Sequence, residues 1–231
     1  DLIDGSGSSR FVADVGILGD RVAAIGDLSD ASADERLDMS GKVVAPGFID
    51  AHTHDDRLLF ADPAMKPKSS QGVTTVIVGN CGVSLAPFSA PGRPKPPLDL
   101  IFGLDPVRFP TFAGFLDAVD RQPAATNAAF LIGHQTVRVR EVVDLNRPAE
   151  YDEILAMRSH VAEAMEAGAI GLSTGLFYPP ARAATTEEVV ALTEVAAAAG
   201  GLYATHLRDE GAKLLDSVKE ALEIGRRTDA T

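Results

Sequence analysis

Short apolar runs alternate with longer helical stretches along most of this chain. The apolar runs are rich in Val, Ile, Leu, Phe and Ala, as buried strands are. Strands that alternate with helices are typical of parallel sheets, so the pattern predicts an α/β fold. We predict strands at 47–52, 73–79, 127–133, 169–174 and 201–206, and helices at 111–121, 150–167, 185–199 and 212–227.

Residues 1–46 have a different rhythm. Apolar runs at 15–18 and 22–25 are joined by Gly19-Asp20, a pair typical of a tight hairpin turn. The segment therefore reads as a small β unit without helical period. Because the chain opens at Asp1 rather than at a methionine, we also expect a further strand upstream.

Five strands in this order could begin an open doubly wound sheet or a (β/α)8 barrel. Candidate metal ligands follow the first, second and fifth strands. A barrel brings the C-terminal ends of non-neighbouring strands around one mouth, so this placement favours the barrel. Eight strands usually take about 250 residues, and we therefore expect a truncated TIM-like barrel with about five strands present.

Three of the predicted strands end in side chains that can bind a metal ion. His52 and His54 follow the first strand, Cys81 follows the second, and His206 ends the fifth. Alternate residues of a strand share a face, so the two neighbouring histidines could grip one ion. A catalytic zinc usually takes about three protein ligands. Four candidates imply either two zinc ions, with the thiolate able to bridge them, or one zinc and a weakly occupied position.

Other polar residues near the strand ends have two interpretations each. His134 ends the third strand run and is expected to face the mouth, either as a substrate contact or as a partner of a metal ligand, with a buried structural role as the alternative. Tyr178 follows the fourth strand and could bind a substrate carboxylate or oxyanion, or pack beneath its loop. Asp50 and Asp55 flank the histidine pair and could orient the imidazoles, with a solvated or turn aspartate as the alternative for each. His160, inside a helix among polar neighbours, is expected to be solvated.

Residues 82–110 contain seven prolines and few regular apolar positions. Because proline interrupts helices, the segment predicts a non-helical loop. Long loops on this face of a barrel usually serve the active site, and a passive surface insertion is the alternative. The prolines are Pro87, Pro91, Pro94, Pro96, Pro97, Pro106 and Pro110.

The acidic composition limits the partners of the chain. Lys and Arg total 21 against 33 Asp and Glu, a net charge of −12, which repels nucleic acid and anionic membrane surfaces. No apolar stretch approaches the roughly 20 residues that span a bilayer, and no hydrophobic signal core is visible. The single cysteine excludes an internal disulfide. We expect a cytoplasmic protein with a small-molecule substrate; the oligomeric state is not indicated.

Two groups of motifs carry a family resemblance. Residues 44–56, around the histidine pair, resemble the signature that opens the barrel in the amidohydrolase superfamily. Residues 79–84, 171–180 and 205–211 are together similar to the N-acyl-D-amino-acid deacylase (D-aminoacylase) family, in the expected order over nearly the whole chain. The resemblance implies the (β/α)8 TIM-like barrel of metal-dependent hydrolases with a small β-sandwich. Residues 1–46 would be part of the sandwich and 47–231 the N-terminal portion of the barrel.

The same resemblance implies roles and a reaction. His52 and His54 correspond to paired zinc ligands, Cys81 to a cysteine ligand that replaces the carboxylated lysine of many relatives, and His206 to the next histidine ligand. Tyr178 matches a tyrosine that contacts the substrate carboxylate. The implied reaction is zinc-dependent hydrolysis of an N-acyl-D-amino acid by a metal-activated water, which gives a carboxylate and a free D-amino acid.

Two pieces of the family pattern are not found in these 231 residues. They are a further histidine ligand and a late aspartate that acts as general acid/base, so the catalytic acid/base is expected beyond residue 231 and the chain alone is expected to be an inactive fragment. Two alternatives stay open. One is a cyclic-amide hydrolase of the dihydropyrimidinase or dihydroorotase kind, which would present a lysine in place of Cys81. The other is a non-catalytic metal-binding scaffold.

Overall fold

The computed structural model describes residues 1–89, 94–102 and 109–231. These residues form two units, 1–48 and 49–231, and each is described by itself. Within the described ranges, no helix combines the length and the apolar character that crossing a lipid bilayer requires.

The N-terminal unit contains an antiparallel hairpin. Its strands are β1, Asp14–Leu18, and β2, Arg21–Gly26, which pair around a turn at Gly19. Gly19 has a φ of +62°, a left-handed conformation that glycine adopts without the steric cost of a Cβ. The hairpin predicted from the Gly-Asp pair is confirmed, and assignment of this unit to a β-sandwich stays a prediction.

The larger unit is built on a five-stranded sheet whose strands lie side by side in chain order. The pairs β4–β5, β5–β6 and β6–β7 all run parallel. A doubly wound sheet reverses its strand order at one point, whereas a barrel does not, so the prediction of a truncated barrel is confirmed. The strands are β3 Phe48–Asp50, β4 Val73–Val78, β5 Asn127–Gly133, β6 Gly171–Gly175 and β7 Leu202–His206.

Four long helices begin and end within two residues of the predicted bounds: α4 Phe112–Arg121, α6 Tyr151–Ala167, α8 Thr186–Ala198 and α9 Leu214–Thr228. The start of α8 has a physical cause, because the Thr185 side chain accepts a hydrogen bond from the Glu188 backbone N–H. Shorter helices were not predicted. They are α1 Leu58–Ala61, α2 Lys66–Ser69, α3 Asp99–Phe102, α5 His134–Glu141 and α7 Pro179–Arg182.

Helix α6 illustrates how the helices cover the sheet. Its buried residues Met157, Val161 and Ala164 recur at spacings of four and three, which places them on one helix face. They belong to the same core cluster as Ile132 of β5 and Leu172 of β6, both 0% exposed. The apolar positions of α6, β5 and β6 thus share one core cluster.

The segment 82–110 differs from its prediction. Most of its described residues are buried, and α3 is helical, so the prediction of a non-helical loop is wrong there. The Phe88 and Phe102 rings lie 4.3 Å apart in the core and are 1% and 2% exposed. The described part of the segment is thus buried by the apolar side chains that lie between the prolines. Pro91 and Pro106 lie outside the described residues.

An ionic network lies inside the larger unit. The side chains of His134, Arg138 and Glu188 are 0 to 1% exposed. Arg138 Nη1 and His134 Nε2 lie 3.1 Å and 2.8 Å from Glu188 Oε1, and Arg138 Nε donates to the Pro180 carbonyl oxygen at 2.8 Å. Burial acts to raise the pKa of Glu188, but the hydrogen bond with His134 and the charge of Arg138 hold that pKa below its ordinary value. The network ties α5, α7 and α8 together.

We expect Arg138→Met in the full-length protein to lower the free energy of unfolding by about 3 to 5 kcal/mol, because the Glu188 carboxylate would stay buried without its cation. Urea denaturation measures the loss. The matched control is Arg158→Met, since Arg158 pairs with Glu194 at the surface, where the two side chains are 35% and 50% exposed. That pair should contribute less than about 1 kcal/mol. Equal losses at the two positions would contradict the buried network.

Candidate metal centre

The two neighbouring histidines follow a short strand. β3 ends at Asp50, earlier than predicted, so His52 and His54 lie just beyond the regular strand. Their ring centroids are nevertheless 5.8 Å apart. The His52 backbone N–H donates to Asp50 Oδ1 at 3.3 Å, and the Thr53 N–H donates to the Ile77 carbonyl oxygen of β4 at 3.3 Å. The second of these bonds holds the histidine segment against the neighbouring strand.

Cys81 brings the candidate ligands together. Its Sγ lies 3.2 Å from His52 Nε2 and 3.8 Å from His206 Nδ1. The ligand atoms of His52, His54 and Cys81 all lie within 4.8 Å of one another. Ligands about 2.0 to 2.3 Å from one zinc ion have separations of this order. The structure therefore places the four predicted ligands around one spot, with His206 contacting the group at Cys81.

The surroundings of the cluster favour the neutral forms of Cys81 and His54. Burial, together with the negative charge of Glu210, raises the pKa of the Cys81 thiol. Burial and the neighbouring His52 lower the pKa of His54. Neutral imidazole is the form that binds a metal, whereas a thiol must lose its proton to do so. A divalent cation would supply the charge that stabilises the thiolate, and nitrogen and sulfur donors of this kind fit zinc.

A lysine beside the histidines was not found by sequence reasoning. Lys68 Nζ lies 2.6 Å from Asp50 Oδ2, 3.0 Å from Asp55 Oδ2 and 3.2 Å from Thr53 Oγ1. The Lys68 hydrogen bond is the main cause of a lowered pKa at Asp50. Within the described residues, these two carboxylates form ion pairs with Lys68 and no hydrogen bond with a histidine ring, which does not support the orienting role. Lys68 stands in α2 without a motif around it, so no local signal marked it.

Two further acidic residues are notable: Glu210 borders the cluster, and Asp56 follows the histidine pair in the chain. Glu210 Oε1 lies 3.5 Å from His206 Nε2, while His206 Nδ1 faces Cys81. A carboxylate on the second ring nitrogen is a common way to orient a ligating histidine. Asp56 is 1% exposed, and burial raises its pKa to about 7. Both residues lie inside the motifs that carry the family resemblance, which was the available signal.

Tyr178 faces the candidate site. Its hydroxyl lies 3.4 Å from His206 Nδ1, and the two rings are 4.8 Å apart. With His54, Cys81 and the apolar side chain of Val83, it lines a cavity of about 20 Å³, large enough for a water molecule. Burial, followed by the nearby Cys81 and Glu210, raises the pKa of Tyr178, so the phenol keeps its proton at neutral pH and can donate a hydrogen bond.

The remaining histidines contact carboxylates outside the cluster. His134 is 0% exposed and is held by Glu188 in the buried network. A side chain without exposure does not reach a substrate in this arrangement, which favours the structural alternative for His134. His160 Nε2 lies 2.8 Å from Glu141 Oε1, and its side chain is 21% exposed. The prediction of a solvated His160 is therefore wrong, because it did not anticipate a partner on α5.

Comparison with known proteins agrees with the fold and with the motifs. The model of the Amidohydrolase family matches residues 35–230. D-aminoacylase of Alcaligenes xylosoxydans xylosoxydans is 55% identical to this chain over 228 residues, which cover 99% of this chain and 47% of that protein. The chain spans about half the length of the curated relatives it matches.

Solved structures give the same result. A D-aminoacylase structure described with a binuclear metal centre matches with a TM-score of 0.96 at 49% identity, covering 99% of this chain and 48% of that chain. N-acyl-D-glutamate deacylase from Bordetella bronchiseptica, solved with zinc and a phosphonate inhibitor, matches with a TM-score of 0.95 at 42% identity, covering 100% of this chain and 48% of that chain. The family model and the close structural matches together show that this chain belongs to the amidohydrolase family.

Proposed function

We propose that this chain carries the metal-binding part of a zinc-dependent hydrolase that cleaves N-acyl-D-amino acids to a carboxylate and a free D-amino acid. The observation that carries the proposal is the contact of Cys81 with His52 and His206 beside His54. The names of the relatives, D-aminoacylase and N-acyl-D-glutamate deacylase, support a linear amide of a D-amino acid as the substrate.

One or two zinc ions would fit the donor set. His52 and His54 could hold one ion, and His206 could contribute to a second. The sulfur of Cys81 lies near both His52 Nε2 and His206 Nδ1, at 3.2 Å and 3.8 Å, so a thiolate there could serve two ions. Imidazole and thiolate suit zinc better than magnesium or calcium, which prefer oxygen ligands.

Bound zinc would polarise the amide carbonyl and lower the pKa of the attacking water. The protein's own residues position the substrate. The protonated hydroxyl of Tyr178, which lies 3.4 Å from His206 Nδ1, would donate a hydrogen bond to the substrate carboxylate. The apolar wall at Val83 and Ile101 shields the buried side of the cavity from water. The leaving amine must gain a proton, and we assign that step to a residue beyond position 231.

The residue at position 81 disfavours the alternative of a cyclic-amide hydrolase. Such hydrolases would be expected to present a lysine where this chain has Cys81. Here Cys81 is 6% exposed and its thiol contacts two of the histidines, which supports the cysteine as a metal ligand. The deacylase assignment accounts for this cysteine, whereas the cyclic-amide assignment does not.

The full-length protein, supplied with zinc, should hydrolyse N-acetyl-D-amino acids faster than their L-enantiomers and faster than a cyclic amide such as dihydrouracil. Chelation should abolish the activity, and added zinc should restore it, because the attacking water depends on the metal. Release of free amino acid measures the linear substrates, and loss of ring absorbance measures the cyclic one. Preference for the cyclic amide, or activity that survives chelation, would overturn the proposal.

Tyr178→Phe should mainly raise KM and leave kcat less affected, because it removes a hydrogen bond to the charged substrate. Such a bond contributes about 1.5 to 3 kcal/mol, which corresponds to roughly a 10- to 150-fold change in KM. The matched control is Tyr203→Phe, since the Tyr203 hydroxyl contacts Thr174 Oγ1 at 3.3 Å. The control should keep the KM of the unchanged protein. A folded Tyr178→Phe variant with an unchanged KM would assign Tyr178 to packing instead.

A further inference from the structure

Cys81 has a backbone conformation that side-chain-bearing residues seldom adopt. Its φ is +54°, and the following Gly82 has a φ of +76°. The left-handed region costs a residue with a Cβ about 1 to 2 kcal/mol. Such strain persists where the surrounding structure holds the residue in place, and it is common at functional sites. The turn at residues 79–82, which carries the thiol, must therefore be held by its neighbours.

Ser173 binds this turn on both sides of the cysteine. Its hydroxyl accepts a hydrogen bond from the Gly82 N–H at 2.9 Å and donates one to the Gly79 carbonyl oxygen. Ser173 is 0% exposed and lies in the middle of β6. One hydroxyl group thus ties the turn to a strand of the sheet, without contacting the thiol itself.

Gln135 binds the carbonyl group of the cysteine. Its Nε2 donates to the Cys81 carbonyl oxygen at 2.6 Å, and the residue is 0% exposed. Its own Oε1 is buried and has no hydrogen-bond partner within the described residues. An unpaired buried acceptor costs about 1 to 3 kcal/mol, so a purely apolar side chain would fill this space at less cost. The hydrogen bond to the Cys81 carbonyl oxygen is therefore the advantage of a glutamine over an apolar residue at position 135.

The backbone of β6 also packs against the turn at residues 79–82. A Cβ on Gly175 would overlap the Cys81 carbonyl oxygen and would come 2.7 Å from Gln135 Nε2. The strand can therefore approach the turn only because residue 175 lacks a side chain. Close backbone packing, one hydroxyl and one amide together fix the turn from β6 and α5.

We propose that Ser173 and Gln135 are positioning residues that hold the Cys81 thiolate in place for the metal. The inference rests on the proposed function, because it takes Cys81 as a zinc ligand. Both residues bind backbone groups of the turn, so they set the direction of the sulfur and leave its chemistry unchanged. Partners of this kind typically contribute 10- to 100-fold to metal affinity.

The test is Ser173→Ala in the full-length protein, with zinc affinity measured by competition against a chelator. We expect the affinity to fall about 10- to 100-fold. In the cobalt-substituted protein, the sulfur-to-cobalt charge-transfer band should weaken or shift, because the thiolate loses its fixed direction. Cys81→Ala should abolish the band, and it therefore shows the spectrum of a protein that has lost the thiolate ligand. Gln135→Met should act in the same direction and serves as the second variant if Ser173→Ala does not fold.

Ser84→Ala is the matched control. Ser84 is a buried serine of the same loop, 2% exposed, whose hydroxyl donates to the Ala86 carbonyl at 2.6 Å and accepts from the Gly133 N–H at 3.0 Å. It should keep the zinc affinity and the cobalt spectrum. A folded Ser173→Ala protein with unchanged affinity and spectrum would overturn the inference, as would an equal loss in Ser84→Ala. Unchanged affinity in Cys81→Ala would overturn the proposed function itself.

Discussion

Parallel pairing of strands in chain order is the constraint on which the site depends. Because β4 to β7 all run in one direction, the residues that follow them arrive at the same edge of the sheet. Cys81 and His206 are 125 positions apart in the chain, yet Sγ and Nδ1 lie 3.8 Å apart. The hydrophobic core that packs against the strands fixes the position of this edge. The loops that begin at the edge then bring their side chains together. The candidate metal centre therefore depends on the topology of the sheet as well as on local sequence.

The part of the molecule that could be predicted follows from local patterns. Strand positions follow from apolar runs, and long helices follow from periodicity and caps such as Thr185, so both emerge within two residues of their bounds. The candidate ligands were visible because each stands at the end of a strand, where a polar imidazole or thiol interrupts an apolar run. Because the C-terminal ends of parallel strands lie at one edge of the sheet, ligands at three such ends are expected to lie close together.

What could not be predicted depends on partners that are distant in the sequence. Arg138 and Glu188 are 50 positions apart, and nothing in the sequence around either residue indicates that tertiary packing buries both. Lys68 carries no motif. Ser173 reaches the Cys81 turn across 91 positions, through backbone groups that any sequence contains. In the segment 82–110 the prolines predict a loop, whereas the apolar side chains between them bury most of its described residues.

The most direct test of the centre is X-ray absorption at the zinc edge on the folded, reduced full-length protein. If Cys81 is a ligand, the spectrum should contain sulfur scattering at about 2.3 Å beside nitrogen or oxygen scattering at about 2.0 to 2.1 Å. Replacement of Cys81 by serine should then remove the sulfur contribution and leave the lighter atoms. A spectrum without sulfur in the unchanged protein would contradict the centre described above.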